Sequence, residues 1–493
     1  MNDAQPPALY RAEQVRELDR IAIEEQGIDG YDLMCRAGTA AFAAVRKRWP
    51  RAQRLTVLCG PGNNGGDGYV IARLAHEAGL DVAVSHFADP QKLKGAARQA
   101  WDSMGRAGVE SRDGAGSLPG DADVVVDAML GTGLQRAVEG PMGDAIEALN
   151  AGRTPVLAVD IPSGLSADTG NPYGRAVRAA VTVTFIGRKR GLYTAAAPDY
   201  TGELVFDDLQ VPEAVYGRVE RDAELLCSAP LGPLRAPRPR TAHKGENGHV
   251  LVVGGDQGTV GAVRMAGEAA LRVGAGLVSI ATRAAHATLL AAVRPELMPH
   301  GVESPADLAP LLERATLVAI GPGLGQGTWG RQMFQTVLAS GLPLVVDADA
   351  LNLLAKAPRT LDNWVLTPHP GEAGRLLGGG ARDVQADRFA ALGRLLARFG
   401  GTCVLKGAGT LIGDANGVVS VCTRGNPGMA SGGMGDVLTG TIAGLGAQGL
   451  DLPAAARAGV CVHGAAGDRA ARAGERGLLA SDLIRELRAE VNP

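Results

Sequence analysis

The segment GHVLVVGGDQGTVGAVRMAGEAALRVGAGLVSIAT, residues 248–282, contains the two kinds of local order from which a parallel sheet is built. HVLVV and LVSIAT are short runs rich in β-branched side chains, apolar at successive positions and so suited to burial on both faces. Between them a glycine-rich turn leads into AVRMAGEAALRV, whose apolar residues recur at helical spacing. Strand, turn, helix and strand in this order start a parallel α/β domain. The glycine-rich turn by itself is weak evidence for nucleotide binding.

The same alternation extends in both directions. Downstream come ATLVAIGPGLG (315–325), PLVVDADALNLL (343–354), NWVLTPHPGE (363–372) and TCVLKGAGT (402–410), each strand ending in glycine or a polar residue. The weakly apolar TLIGDANGVVSVC that follows has an Asn-Gly turn at 416–417 and predicts a hairpin. Upstream, helices are expected over 11–26 and 31–47. Strands follow at RLTVLCG (54–60), DVAVSHF (81–87), DADVVVDAM (121–129), PVLAVD (155–160) and AVTVTF (180–185). This is a second mostly parallel sheet with helices on both faces. No repeat period relates the two halves, and 493 residues exceed what one core organises. Two layered α/β/α domains are therefore expected. Residues 216–244, with Pro230, Pro233, Pro237 and Pro239, read as an extended linker. The boundary is expected near 220, giving domains 1–220 and 221–493.

Composition narrows the function classes. A net charge of −3 arises from mixed signs without a basic block, so no nucleic-acid footprint is present. The N-terminus is polar and no apolar run reaches membrane-spanning length, which predicts neither signal peptide nor membrane segment and a cytoplasmic protein. The cysteines at 35, 59, 227, 403, 422 and 461 show no paired or metal-ligand spacing and are expected as reduced core residues. Partners are small molecules, with a homo-oligomer admissible.

The candidate chemistry lies just beyond strand ends, where ligands collect in such sheets. NPGMASGGMGDVLTG (426–440) delivers Asp436 into a helix start through a glycine-dense turn. Free N–H groups there suit phosphate oxygens. Asp436 is either a helix N-cap or a base that takes a proton from a hydroxyl attacking that phosphate. Lys406 and the backbone of 407–410 suit a nucleotide phosphate, or the lysine is merely solvated. His369 stands between prolines at a strand end, structural or facing a ligand. In the first half, GPGNNGGDGYV (60–70), DAMLGTGLQRA (127–137) and DIPSG (160–164) gather glycines and oxygen ligands at one sheet edge. Neither a dinucleotide fingerprint nor a Walker A pattern occurs in this half.

LMCRAG, GPGNNGGDG, DAMLGTGL and VDIPSG, in this order, resemble the N-terminal, Rossmann-like epimerase domain of the NAD(P)H-hydrate repair enzymes over roughly residues 8–215. The resemblance implies that Asn63, Asn64, Gly65, Gly66 and Asp67, with Gly131, Thr132, Gly133, Leu134, Gln135, Arg136 and Ala137, cradle the hydrated dinucleotide. It implies that Asp160 touches the damaged ring, and that Asn64, Asp127 and Ser163 bind potassium, whose charge would offset the pyrophosphate. Cys35 stands where the family's helix carries an acidic residue.

HKGENGHVLVVGG, GPGLG, DADALNLL, TPHPGE, KGAGT and NPGMASGGMGD resemble the ADP-dependent dehydratase of the same repair system, a ribokinase-like enzyme, over roughly residues 225–490. This implies that Lys406, Gly407, Ala408, Gly409, Thr410 and Gly435 contact the adenine nucleotide, accompanied by Mg2+. It implies that Ala262, Gly323, His369 and Asp436 line the hydrate pocket. Together the halves imply interconversion of the R and S hydrates of NADH and NADPH, then ADP-driven dehydration of the S form, with AMP and phosphate released. Two rivals are a ribokinase-type small-molecule kinase, which leaves the first half unexplained, and a first domain that only binds nucleotide, which does not need Asp127, Asp160 and Ser163.

Overall fold

The computed structural model describes residues 6–114, 121–415 and 417–492. The chain divides into two compact units, one spanning Ala8–Ala223 and the other Glu224–Pro493 together with the residues up to Pro7.

In the first unit, helices α1 (Ala12–Arg20) and α2 (Gly30–Arg48) precede a seven-stranded sheet. In chain order its elements are β1 (Arg54–Cys59), α3 (Asn63–Glu77), β2 (Asp81–His86), α4 (Gly95–Arg106), β3 (Ser111–Asp113), β4 (Val124–Ala128), α5 (Gly140–Ala151), β5 (Val156–Val159), β6 (Val181–Phe185) and β7 (Glu203–Asp207). The strand order is β3-β2-β1-β4-β5-β6-β7, with every pairing parallel. Leu55 and Val57 pack into the core on one face, while Leu58 and Val125 pack into the core on the other. That is why the strands read as continuous apolar runs. The order reverses at β1, whose neighbours are β2 and β4. A crevice at the carboxyl ends follows from that reversal.

The second unit carries β8 (His249–Val253), α6 (Val260–Arg272), β9 (Leu277–Thr282), α7 (Ala284–Val293), β10 (Met298–Gly301), β11 (Leu317–Ile320), β12 (Leu344–Val346), β13 (Trp364–Leu366), α8 (Pro370–Leu377), α9 (Arg388–Phe399), β14 (Thr402–Leu405), β15 (Thr410–Asp414), β16 (Val419–Cys422), α10 (Met434–Ala447) and α11 (Leu452–Ala470). The order β10-β9-β8-β11-β12-β13-β14 is parallel, and β15 and β16 continue it antiparallel. The expected hairpin is present as β15 and β16; Asn416 of its turn lies outside the described residues. Helices α6 and α10 touch at their backbones, because a β-carbon on Gly440 would come within 1.9 Å of the Ala266 carbonyl oxygen.

Three expectations change. The proline-rich segment is not a free linker, because Leu226 and Leu231 are buried in the core of the second unit. The helix expected to start only after the glycine-rich stretch, at VIARLAHEAG (70–79), starts instead at Asn63, so NNGGDG forms the first turns of α3. Of the cysteines, Cys59, Cys403, Cys422 and Cys461 are buried as free thiols, but Cys35 is half-buried and Cys227 exposed. Among the described residues no helix is long and apolar enough to cross a membrane.

Candidate functional site

In the second unit the candidate residues gather at the carboxyl ends of β8 and β11–β14. Asp436 is at the third position of α10, and the helix N-cap is Gly433, at φ +90°. The cap reading of Asp436 is therefore excluded: its side chain is a turn inside the helix and makes no hydrogen bond or ion pair among the described residues. Burial raises its pKa to about 7; Asp347 pushes the same way, Lys406 opposes, and Glu372 adds to the rise.

Lys406, at the end of β14, reaches into this carboxylate group. Its Nζ donates to Asp347 Oδ1 at 2.8 Å and lies 3.8 Å from Glu372 Oε2. Burial alone would strip its proton, but Asp347 and Glu372 outweigh that and raise its pKa. The lysine is a fixed cation. Asp347, 2% exposed, takes its second bond from Thr439 Oγ1 at 2.8 Å. A β-carbon on Gly435 would lie 3.4 Å from Lys406 Nζ, so the helix start and the lysine adjoin.

The KGAGT loop is braced from behind by Arg388. This guanidinium, on a residue 1% exposed, donates to the carbonyls of Leu405 at 3.0 Å, Lys406 at 3.2 Å and Gly409 at 3.5 Å. With these carbonyls tied inward, Gly407 takes φ +139° and Gly409 φ +60°. Thr410 Oγ1 donates to the Gly407 carbonyl at 2.9 Å.

His369 is the N-cap of α8: its Nδ1 accepts from Gly371 N at 3.0 Å, and Glu372 returns a bond to His369 N at 2.8 Å. Burial, only partly offset by Glu372, lowers its pKa and favours the neutral ring. Gly323 and Ala262 are tied to each other through Thr259, whose hydroxyl donates to the Gly323 carbonyl at 2.9 Å and whose own carbonyl accepts from Ala262 N at 3.1 Å. Sequence reasoning missed Asp347, Glu372 and Arg388. The first two stand inside quoted motifs at strand ends, whereas Arg388 opens an ordinary amphipathic helix and carries no local signal.

In the first unit a cleft of about 960 Å³ opens at the carboxyl ends of the strands. Asn63, Asn64, Asp67, Gly131, Thr132, Gly133, Leu134, Gln135, Arg136 and Asp160 line it; Gly65, Gly66 and Ala137 do not. Asp160 ends β5 at φ +68°, a left-handed conformation that Asp tolerates better than most residues. It accepts a bond from Lys189 Nζ, and Lys189 is 1% exposed. Lys189 and Asp19, both on the cleft wall, were missed by the sequence reading.

Behind the cleft, Asp127 is fully buried. Its Oδ1 accepts from Ser163 Oγ at 2.6 Å and Met129 N at 3.2 Å, and its Oδ2 from Ser163 N at 2.8 Å. Burial raises its pKa to about 6 despite these bonds. Asn64, 8% exposed, has neither side-chain polar atom partnered. An uncompensated buried carboxylate and an idle amide oxygen fit a monovalent cation, which prefers neutral oxygens with little formal charge. Among the described residues no cluster of three or more His, Cys, Asp or Glu is arranged for a metal ion.

Two units, each a mostly parallel α/β sheet with glycine-rich turns and carboxylates beyond its strand ends, define a two-domain enzyme acting on nucleotide-like substrates. Residues 30–191 match the family described as YjeF-related protein N-terminus, and residues 250–489 match NAD(P)H-hydrate dehydratase. The chain is 53% identical to the bifunctional NAD(P)H-hydrate repair enzyme of Coxiella burnetii, over 98% of this chain and 99% of that one. It is 45% identical to the enzyme of that name from Escherichia coli, over 99% and 95%. A crystal structure of a ribokinase-like superfamily protein from Enterococcus faecalis superposes with a TM-score of 0.50 at 32% identity, over 55% of this chain and 96% of that one. The chain belongs to the family of bifunctional NAD(P)H-hydrate repair enzymes.

Proposed function

We propose that residues 221–493 dehydrate the S hydrate of NADH and NADPH at the expense of ADP, and that residues 1–220 interconvert the R and S hydrates. The observation that carries the first assignment is Asp436: a carboxylate inside a helix start, without a protein partner, beside a lysine held as a cation. With its pKa near 7 it accepts a proton at neutral pH far better than an ordinary aspartate. Asp436 takes the proton of the ring hydroxyl as that oxygen attacks the terminal phosphoryl group of ADP. Lys406 and the N–H groups of the α10 start stabilise the transferring charge, while residues 407–410 hold the nucleotide. Phosphate then leaves where hydroxide would not, the neighbouring ring carbon gives up a proton as the carbon–carbon double bond forms, and the dihydropyridine is restored; AMP is released. Gly323, Ala262 and His369 border the hydrate.

Asp347 and Glu372 are already engaged by Lys406, Thr439 and His369, so this arrangement offers no free protein carboxylate pair for a divalent ion. Magnesium accompanies the nucleotide phosphates in this reading, and no step is routed through it.

In the first domain Asp160 faces the damaged ring, and residues 63–67 and 131–137 surround the dinucleotide. Asn64, Asp127 and Ser163 hold potassium, whose charge offsets the pyrophosphate and the buried Asp127. In this reading the protein acts in the cytoplasm.

The test is absorbance in the reduced-nicotinamide band while mixed hydrate epimers are incubated with protein and either ADP or ATP. Recovery of reduced dinucleotide from both epimers with ADP is the expected result. Recovery with neither nucleotide, or formation of a stable phosphorylated product, rejects the assignment.

A further inference from the structure

Inverting the carbon that carries the ring hydroxyl takes two proton transfers. When the hydroxyl loses its proton, its oxygen becomes a carbonyl, the carbon–nitrogen bond breaks, and its electron pair leaves with the ring nitrogen, which takes up a proton. Rotation about the neighbouring carbon–carbon bond turns the other face of the carbonyl to the nitrogen, and closure reverses both transfers. No electrons are gained or lost. One base and one acid are required.

The cleft wall holds three carboxylates, Asp19, Asp67 and Asp160, an exposed lysine, Lys94, and the buried ammonium of Lys189. The ammonium has three protons, and all are committed: one to Asp160 Oδ1, one to Thr184 Oγ1 at 3.0 Å and one to the Phe185 carbonyl at 3.0 Å. Lys189 thus has no donor left for the other two carboxylates. Asp19, in the last turn of α1, has no hydrogen-bond or ion-pair partner among the described residues. Asn64, nine-tenths buried with an unpartnered amide, lines the same cleft, so the wall is prepared for polar groups that a ligand must supply.

We propose that Asp19 is the second proton-transfer residue of this cleft, carrying the proton to and from the ring nitrogen while Asp160 serves the hydroxyl; this rests on the assignment of epimerisation to the first domain. Burial raises the pKa of Asp19 to about 7, Lys189 opposing and Asp160 assisting, so at neutral pH it exists in both forms, as a reversible carrier must. Burial first, then Asp160 and Asp19, also raise the pKa of Asp67 well above the ordinary carboxylate value. The charged and titratable groups facing Asp19 are Arg16, Asp67, Asp160, Lys189 and Tyr216.

The experiment follows epimerisation of the R hydrate by the full chain across pH. Wild type should lose rate as pH rises through about 7, where Asp19 gives up its proton. Asp19→Asn should be slower by about 10²–10⁴ and lose that alkaline limb, while thermal stabilisation by potassium, read on the same preparation, persists. A wild-type rate or an unchanged limb in Asp19→Asn overturns the proposal. If asparagine unfolds the domain, Asp19→Glu replaces it; its limb must move, and an unmoved limb overturns the proposal equally. Asp160→Asn separates the two levels: if it keeps full epimerase activity, the cleft is not the epimerisation site; if it is inactive while Asp19→Asn is normal, only the role of Asp19 fails.

Discussion

Lys406 Nζ and Asp347 Oδ1 are joined at 2.8 Å across the ends of β14 and β12, and Asp436 stands beside this pair with no hydrogen-bond or ion-pair partner among the described residues. The pair sets the electrostatics of the second domain's site: Lys406 is a fixed cation suited to phosphate, and Asp347 adds to burial in raising the pKa of Asp436 to about 7.

Asp436→Asn removes the proposed base without removing a helix cap, since Gly433 is the N-cap. ADP should bind as well as before or slightly better, because a negative charge beside the phosphates is gone. Dehydration of the S hydrate should fall by about 10²–10⁴. Single-turnover kinetics with an ADP-binding titration check this; near-normal turnover would mean that another group takes the proton.

The same carboxylate sets the pH profile. A base must be deprotonated to act, and Asp436 becomes so as pH rises through about 7. The kcat/KM for dehydration should therefore climb with a single proton released near that value. An acid limb confined to the ordinary aspartate range, near 4, contradicts the burial argument.

Arg388 acts on the nucleotide loop at a distance from the chemistry. Arg388→Lys keeps the charge but cannot reach the Leu405, Lys406 and Gly409 carbonyls together, because an ammonium lacks the guanidinium fork. The KM for ADP should rise by about ten- to a hundredfold while the KM for the hydrate moves little. Equal changes in both would assign Arg388 to general stability.

At the proposed potassium site the ion and the proton would compete for Asp127. Folding raises the pKa of this group to about 6, so its contribution to stability is complete below the unfolded value, 3.8, and is lost as pH climbs through about 6. A cation bound there restores part of that loss. Thermal stabilisation of the first domain by potassium should be larger above about pH 7 than below about pH 5, and Asp127→Ala should abolish the difference. A potassium effect independent of pH places the ion elsewhere.

The proline-rich segment tests where the second domain begins. Leu226 and Leu231 are buried in its core, and truncating a buried leucine costs about 2–5 kcal/mol. A fragment 224–493 should unfold cooperatively and dehydrate S hydrate, whereas Leu226→Ala/Leu231→Ala in that fragment should lower its midpoint sharply. Equal midpoints would return the segment to the role of a linker.

The sequence by itself determined the layering and the edge at which the sites lie. Strand identity is written in runs such as HVLVV and VVVDA, helix identity in apolar spacing, and the turns in glycine, because each depends on residues close in the chain. It did not determine what each candidate touches. The GGMGD glycines mark a helix start, yet only the structure shows that Gly433 caps α10 and leaves Asp436 unpartnered. Proline between 230 and 240 suggested a linker, but the burial of Leu226 and Leu231 is a property of the core that receives them. Asp347 meets Lys406 across 59 residues and Thr439 across 92, and Asp19, Asp67, Asp160 and Lys189 come to one cleft from four separate segments. Ionisation, hydrogen bonding and burial depend on distance in space, and no local pattern encodes the distance between residues that far apart in the chain.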